Sequence, residues 1–273
     1  MNVNWDFRDQ VVIVTGAGRG VGRELVHRFV LAGARVVAAD RDREGVQATC
    51  ASVDQHRAVP VVADISDPEG AASIVRQAVE RFAGVDVCVN NAAVAPHTAL
   101  LDERPEVWDT VFAVNCRGTF LMTQASARAM VAAGHGGRII NFSSGVSSKG
   151  SPGTAAYAAS RAATEAFTRV AAIELAPHDI LVNTISPGLI DTQPKPLPPH
   201  MAAALAARVP ALPLGRAGTP AEVVDLVFFL ASSAATYITG SVFEIDGAAG
   251  LGTRPTGPVI DDDPRYDWVT GRG

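Results

Sequence analysis

Cysteine is scarce in this chain: Cys50, Cys88 and Cys116 are odd in number and lack the short spacings of a metal site. That excludes a disulfide framework or a cysteine-bound metal as the organising device and suits reduced, idle thiols in a cytoplasmic protein. Long apolar runs are missing too. The longest, such as LVFFLA at 226–231, fall far short of the ~20 residues that cross a bilayer. The opening MNVNWDFRDQ lacks the charged-then-apolar order of a secretory signal. No lysine-rich block or basic helix stands out, and the net charge is -5 with a pI near 5.7. Nucleic acid and membrane are therefore not expected partners.

Apolar residues are plentiful, at 48% of 273, which is ample for a sheet covered on both faces. Length alone would allow two domains, but large parallel sheets often reach this size as one, and no linker divides the sequence. VVIVTG at 11–16 is a short, apolar, β-branched run, followed by glycines and then by VGRELVHRFVLAGA with helical periodicity. The order is strand, tight turn, helix. Gly16, Gly18, Gly20 and Gly22 stand where the backbone bends sharply and approaches a ligand, leaving helix N-terminal amides to receive a pyrophosphate. RVVAAD at 35–40 reads as the next strand. Asp40, at its end, occupies the place where a dinucleotide fold holds an adenosine ribose. A carboxylate there accepts from the 2'-hydroxyl and repels a 2'-phosphate, which favours NAD over NADP. Arg19 and Arg41 argue the other way if they pair with that phosphate rather than lying solvated or over adenine.

The alternation continues with REGVQATCASV as helix, AVPVVAD as strand, DPEGAASIVRQAVERFAG as helix and VDVCVNNAA as strand. SDPE at 66–69 reads as an N-cap with proline in the first turn. Such units give an α/β fold, a parallel sheet with helices on both faces and ligands at the carboxyl ends of the strands, where Asp64 and Asn90 lie. From Pro105 a long helical stretch carries Asn115 inside VFAVNCRGTF, and an asparagine there needs a polar partner. RIINF leads as a strand into Ser143, and ILVNTISPG at 180–188 is another, ending in Pro187 and Gly188. PAEVVDLVFFLAS and SVFEIDG supply a last helix and strand. The proline- and alanine-rich excursion at 189–214, with helical MAAALAAR in its middle, reads as a substrate lid.

The chemistry concentrates in SSGVSSKGSPGTAAYAASR, residues 143–161, a loop that opens into a helix. Tyr157 and Arg161 are one helical turn apart and emerge on one face. A phenol titrates near pH 10, too high for a base at neutral pH, but a fixed cation a few ångströms away stabilises the phenolate. Ser144, facing them from the loop, can hold a carbonyl or carbinol oxygen while hydride moves at the adjacent carbon.

Taken in order, TGAGRGVG from Thr15, Asp64, NNAA from Asn90, Asn115, Ser144 ahead of Tyr157, and PGLIDT from Pro187 resemble the motifs of the short-chain dehydrogenase/reductase family over about residues 8–249. The resemblance implies a Rossmann-like doubly wound fold with a seven-stranded parallel sheet. It implies one catalytic domain over 1–250, a C-terminal extension at 251–273, and assembly as a homotetramer or homodimer. It casts Tyr157 as the catalytic acid/base, Ser144 as the residue orienting the reacting oxygen, and Asn115 as the anchor of a water-linked proton relay. Cofactor contacts fall on the first turn (Thr15, Gly16, Gly18, Arg19, Gly20, Val21, Gly22) and on Asp40 and Arg41. They continue at Asp64 and Ile65, with Asn90 beside the same adenine and ribose path, then at Asn91, Ala92 and Ala93. Tyr157 and Arg161 contribute, as do Pro187 and Gly188, while Ile190 and Thr192 reach the nicotinamide carboxamide.

Ala93 stands where the family has glycine, and Arg161 stands where its Tyr-x-x-x-Lys motif has lysine. A guanidinium keeps the charge and can bond ribose hydroxyls, but it does not release a proton in proteins. The expected activity is NAD-dependent interconversion of a secondary alcohol and a ketone, with no metal. The alternative is a catalytically impaired dinucleotide binder acting as sensor or scaffold. Val94, Ala95, Pro96, His97 and residues 145–151 should wall a largely apolar pocket, with His97 and Lys149 solvated. Tyr266 and Trp268 suggest that the tail docks on a neighbouring subunit, unless it is disordered.

Overall fold

Short β-branched runs alternate with helices from residue 11 onward, and each run forms a strand. The computed structural model describes residues 5–192 and 199–254. The order is β1 (Val11–Thr15), α1 (Gly20–Leu31), β2 (Arg35–Asp40), α2 (Arg43–Ala51), β3 (Ala58–Val62), α3 (Pro68–Phe82) and β4 (Val87–Asn90). It continues with α4 (Pro105–Phe112), a π-helical turn (Ala113–Gly118), α5 (Thr119–Ala133), β5 (Gly137–Phe142), α6 (Val146–Lys149) and α7 (Ala155–Leu175). The last elements are β6 (Ile180–Pro187), α8 (Pro199–Arg208), α9 (Pro220–Ala231) and β7 (Val242–Ile245).

Among the described residues every strand pair is parallel, and the seven-stranded order is β3-β2-β1-β4-β5-β6-β7. Val12 pairs with Val36 on one side and Val87 on the other, so the order reverses at β1 and β4. A doubly wound sheet opens its ligand crevice at this reversal, outside the carboxyl ends of the strands. Both faces of the sheet are covered. On one, Phe7, Phe29 and Phe228 meet with ring centres 4.4 to 5.0 Å apart; on the other, Ile74, Met122, Met130 and Ile139 are fully buried. β1 is buried throughout, as its four apolar residues require, and its closing Thr15 donates to the Val89 carbonyl.

The helix starts follow their capping chemistry. Within SDPE it is Asp67 that caps α3, accepting from the Gly70 amide, with Pro68 in the first turn. Ser66 is bound by both its amide and its hydroxyl to the Asp64 carboxylate. The long helix expected from Pro105 is likewise two helices joined by the π-helical turn, which contains Asn115. Its cause is long-range: Asn115 grips Val94 through both main-chain groups, accepting from the amide at 2.9 Å and donating to the carbonyl at 2.9 Å. π-turns of this kind concentrate at functional sites.

Two ties join the segment after β7 to the site end of the molecule. Lys149, read as solvated, donates from Nζ to the Ala249 carbonyl at 2.5 Å, and the Arg254 amide donates to the Ala211 carbonyl at 3.0 Å. Tyr266, Trp268 and lid residues 193–198 lie outside the described residues. Among the described residues, no helix is long and apolar enough to cross a membrane.

Candidate active site

β5 ends at Phe142 and delivers Ser143 and Ser144 to the carboxyl edge of the sheet, while α7 starts just beyond at Ala155. Tyr157, Arg161 and Glu165 follow one another at single-turn spacing along α7 and so share a face. Tyr157 and Ser144 are partly exposed, whereas Asn115 and Arg161 are buried. The structure brings Ser144, Tyr157 and Arg161 together, with Asn115 joined to the same helix through Ser160.

Burial pushes the Tyr157 phenol toward a higher pKa, yet the Arg161 charge, its hydrogen bond and that of Ser144 outweigh burial, so the net direction is below the usual value of 10.0. The Arg161 guanidinium carbon lies 5.1 Å from the Tyr157 ring centre. Arg161 is only 3% exposed, and its Nη1 donates to the Phe142 carbonyl at 2.8 Å. One end of the fork is thus committed to the main chain at the end of β5. Its Nε is buried without a partner among the described residues. Asn115 reaches α7 as well, donating to Ser160 Oγ at 3.1 Å.

The dinucleotide edge lies at the β1/β4 reversal. Gly16 has φ +68° and Gly20 +55°, and a Cβ on Gly16 would sit 2.8 Å from the Ala92 main chain, so only glycine fits there. Asn91 Nδ2 braces this turn by donating to the Thr15 and Gly16 carbonyls, and the Ala92 amide donates to Thr15 Oγ1. Asp40 accepts from the Gly18 amide at 2.8 Å and the Asp42 amide at 2.9 Å. Thr192 lies over the turn, its Cβ 3.3 Å from where a Cβ on Gly20 would be. Asn90 differs from its neighbour: it is 2% exposed and turned into the helix layer, donating to Asn141 Oδ1 at 2.8 Å and Thr123 Oγ1 at 3.1 Å. It therefore does not line the adenine and ribose path.

These features fit a dinucleotide. α2, α3 and α9 are capped by Asp42, Asp67 and Thr219, whereas α1 has neither a side-chain cap nor an acidic residue in its first turn. Its free amides face the glycine cradle and suit a pyrophosphate. Arg161 Nε is a buried donor with no partner among the described residues, which leaves the side chain with bonding capacity beyond the Phe142 carbonyl. Burial raises the Cys50 thiol to about 11 and the Cys88 thiol to about 12, so both are held in the protonated form.

The sequence motifs include Ser143 and Ser147 only as part of the loop and pocket wall and pass over Glu165. Glu165 Oε1 accepts from Ser143 Oγ at 2.5 Å and from Ser147 Oγ at 2.6 Å. The available signal was its place two turns after Tyr157, on the same helical face.

A reversed parallel sheet with a glycine cradle at its switch point and a tyrosine of lowered pKa at the same edge is the framework of a dinucleotide-linked oxidoreductase. The chain belongs to the short-chain dehydrogenase/reductase family, whose members use NAD or NADP. The family model described as enoyl-(acyl carrier protein) reductase matches residues 16–249. The chain is 35% identical over 240 residues to a 3-oxoacyl-acyl-carrier-protein reductase, FabG, from Thermotoga maritima, covering 87% of this chain and 96% of that one. It is 32% identical over 253 residues to a sorbitol dehydrogenase from Cereibacter sphaeroides, covering 87% and 96%. A crystal structure of a short-chain type dehydrogenase/reductase from Mycobacterium marinum superposes with a TM-score of 0.81 at 34% identity, covering 90% of this chain and 96% of that one.

Proposed function

We propose that this protein is an NAD(H)-dependent oxidoreductase interconverting a secondary alcohol and a ketone, with Tyr157 as acid/base. The observation carrying this reading is a phenol whose proton affinity is lowered, against its burial, by Arg161 and Ser144 at the carboxyl edge of the sheet. The bound nicotinamide would accept or supply the hydride. Ser144 holds the substrate oxygen. The Tyr157 phenolate takes the hydroxyl proton in the oxidative direction, and the phenol returns it in the reductive one. Arg161 holds the charge that makes the phenolate accessible, and Asn115 fixes the π-turn against α7. Gly16, Gly18, Gly20 and the α1 amides would hold the pyrophosphate. The carboxylate of Asp40, fixed by two amides, supports NAD over NADP, since it would repel a 2'-phosphate.

The pocket walls at Val94, Gly145 and Val146 are small or apolar and suit a moderately hydrophobic ketone or alcohol. α4, α5 and α7 expose Trp108, Phe120, Val170 and Ile173 at 39% to 76%, a surface that supports assembly into a homodimer or homotetramer through these helices. Tyr157→Phe should abolish turnover across a ketone panel while leaving NADH binding unchanged; equal activity in that variant would refute the assignment. Tight NADH binding without turnover of any substrate by the native protein would favour the impaired sensor or scaffold instead.

A further inference from the structure

Ser144 must meet a reacting oxygen with little error, yet steric packing does little to hold the turn that carries it. Gly145 and Gly150 border that turn with no atom within 4 Å of where a Cβ would lie. Main-chain ties exist at Ser143, whose amide donates to Ile185 at 2.7 Å, and at Gly145, which reaches Pro187 at 3.3 Å. On the α7 side Arg161 holds the end of β5 at the Phe142 carbonyl and takes a long bond of 3.4 Å from the Ser143 hydroxyl on its own carbonyl, and the one contact that reaches both sides of Ser144 is a single carboxylate oxygen. Glu165 Oε1 receives the Ser143 hydroxyl at 2.5 Å and the Ser147 hydroxyl at 2.6 Å. The first precedes Ser144 and the second lies a turn after it, so the two contacts straddle the catalytic serine.

We propose that Glu165 is a positioning residue that grips the hydroxyls on both sides of Ser144 and thereby fixes that serine opposite Tyr157. The proposal rests on the function given above for Ser144 and Tyr157. A carboxylate suits the task because charge-assisted bonds from hydroxyls are short and strong, and one rigid α7 face then carries Tyr157, Arg161 and Glu165 together. Among the described residues no cation pairs with Glu165, so its two serines are the partners that define its place.

The test uses the full chain. Glu165→Ala should lower kcat by roughly 10- to 100-fold, the range for misplacing a catalytic group by about an ångström, with NADH affinity unchanged. Glu165→Gln, which keeps an acceptor oxygen, should restore most of the rate. Ser143→Ala/Ser147→Ala should reproduce the loss, and in a Ser144→Ala background Glu165→Ala should cost nothing further. A kcat near that of the native protein in Glu165→Ala, no recovery with Gln, or an undiminished loss in the Ser144→Ala background would overturn the proposal.

A readout independent of turnover separates failure of this idea from failure of the enzymatic reading. In a Tyr237→Phe/Tyr266→Phe background, the ultraviolet absorbance of the phenolate reports Tyr157. With Arg161 intact, Glu165→Ala should move its titration upward by loosening the Ser144 hydrogen bond that lowers it, and Glu165→Gln should not. An unmoved titration in Glu165→Ala would overturn the grip even if no substrate were ever found.

Discussion

Replacing Arg161 with methionine removes the cation beside Tyr157 while keeping an unbranched side chain of similar reach. The guanidinium carbon is 5.1 Å from the phenol ring centre. At an effective dielectric of ~20, a charge at that separation is worth about 3 kcal/mol to the phenolate. At about 1.4 kcal/mol per tenfold, losing it should cut the phenolate fraction at a fixed pH by roughly a hundredfold. Burial then acts against only the Ser144 bond. The assay is initial-rate alcohol oxidation with NAD, followed by NADH absorbance across pH. Oxidation needs the phenolate, so its rate rises with pH through the Tyr157 pKa, and in Arg161→Met that rise should shift to higher pH. Ketone reduction needs the phenol, so its decline with pH should shift the same way. Methionine also deprives the Phe142 carbonyl of a donor, at a stability cost of about 1–3 kcal/mol, so circular dichroism must first show a folded variant. Arg161→Lys keeps the charge and adds a group able to pass a proton, and it should raise the rate if proton relay is the slow step. A folded Arg161→Met variant whose pH profiles superimpose on those of the native protein would refute the electrostatic account.

The remaining predictions concern the cofactor and the scaffold. Asp40→Ser removes the acceptor and the charge proposed to face the adenosine ribose. It should weaken NADH and relieve the penalty on NADPH, moving the ratio of their dissociation constants by about tenfold or more, equivalent to ~1.4 kcal/mol; an unchanged ratio in a fluorescence titration counts against the NAD assignment. Thr219→Ala removes one half of the capping box at the start of α9 and should cost about 1 kcal/mol, read from the urea midpoint. The Arg216 hydrogen bond, with bonds from Thr219, holds Glu222 down at about 2 against an ordinary 4.5. The stabilisation is therefore present above pH 4.5 and is lost as pH falls from there toward 2. It should be small, because the Glu222 side chain is 41% exposed.

The strands were legible because each is a short β-branched run, and their alternation with helices left little choice but a parallel sheet. Tyr157 and Arg161 were legible because helical spacing is local. What escaped was set by geometry across the fold. Asn90 and Asn91 are adjacent, yet opposite faces of an extended chain send one into the helix layer and the other under the glycine turn. The π-turn at 113–118 answers to Val94, some twenty residues earlier, and no local pattern marks it. Lys149 finds Ala249 one hundred positions away. Glu165 carries no motif, and its role emerges only once the turn after β5 folds back and places two serines on it.

Arginine at position 161 also explains how a buried cation survives there. Among the described residues no carboxylate lies within ion-pair distance of it, and at 3% exposure the charge must be met by hydrogen bonds instead. A guanidinium stays charged under the same burial, and its fork can bond the Phe142 carbonyl while its face lies against Tyr157. The permanence that makes it a good electrostatic partner disqualifies it as a carrier of protons. A proton leaving Tyr157 therefore needs a neighbour that both donates and accepts, and the hydroxyl of Ser144, which helps hold the phenol's pKa down, is one. Its setting then bears on proton delivery as well as on substrate alignment, which joins the identity of residue 161 to the grip of Glu165 one turn further along the same helix.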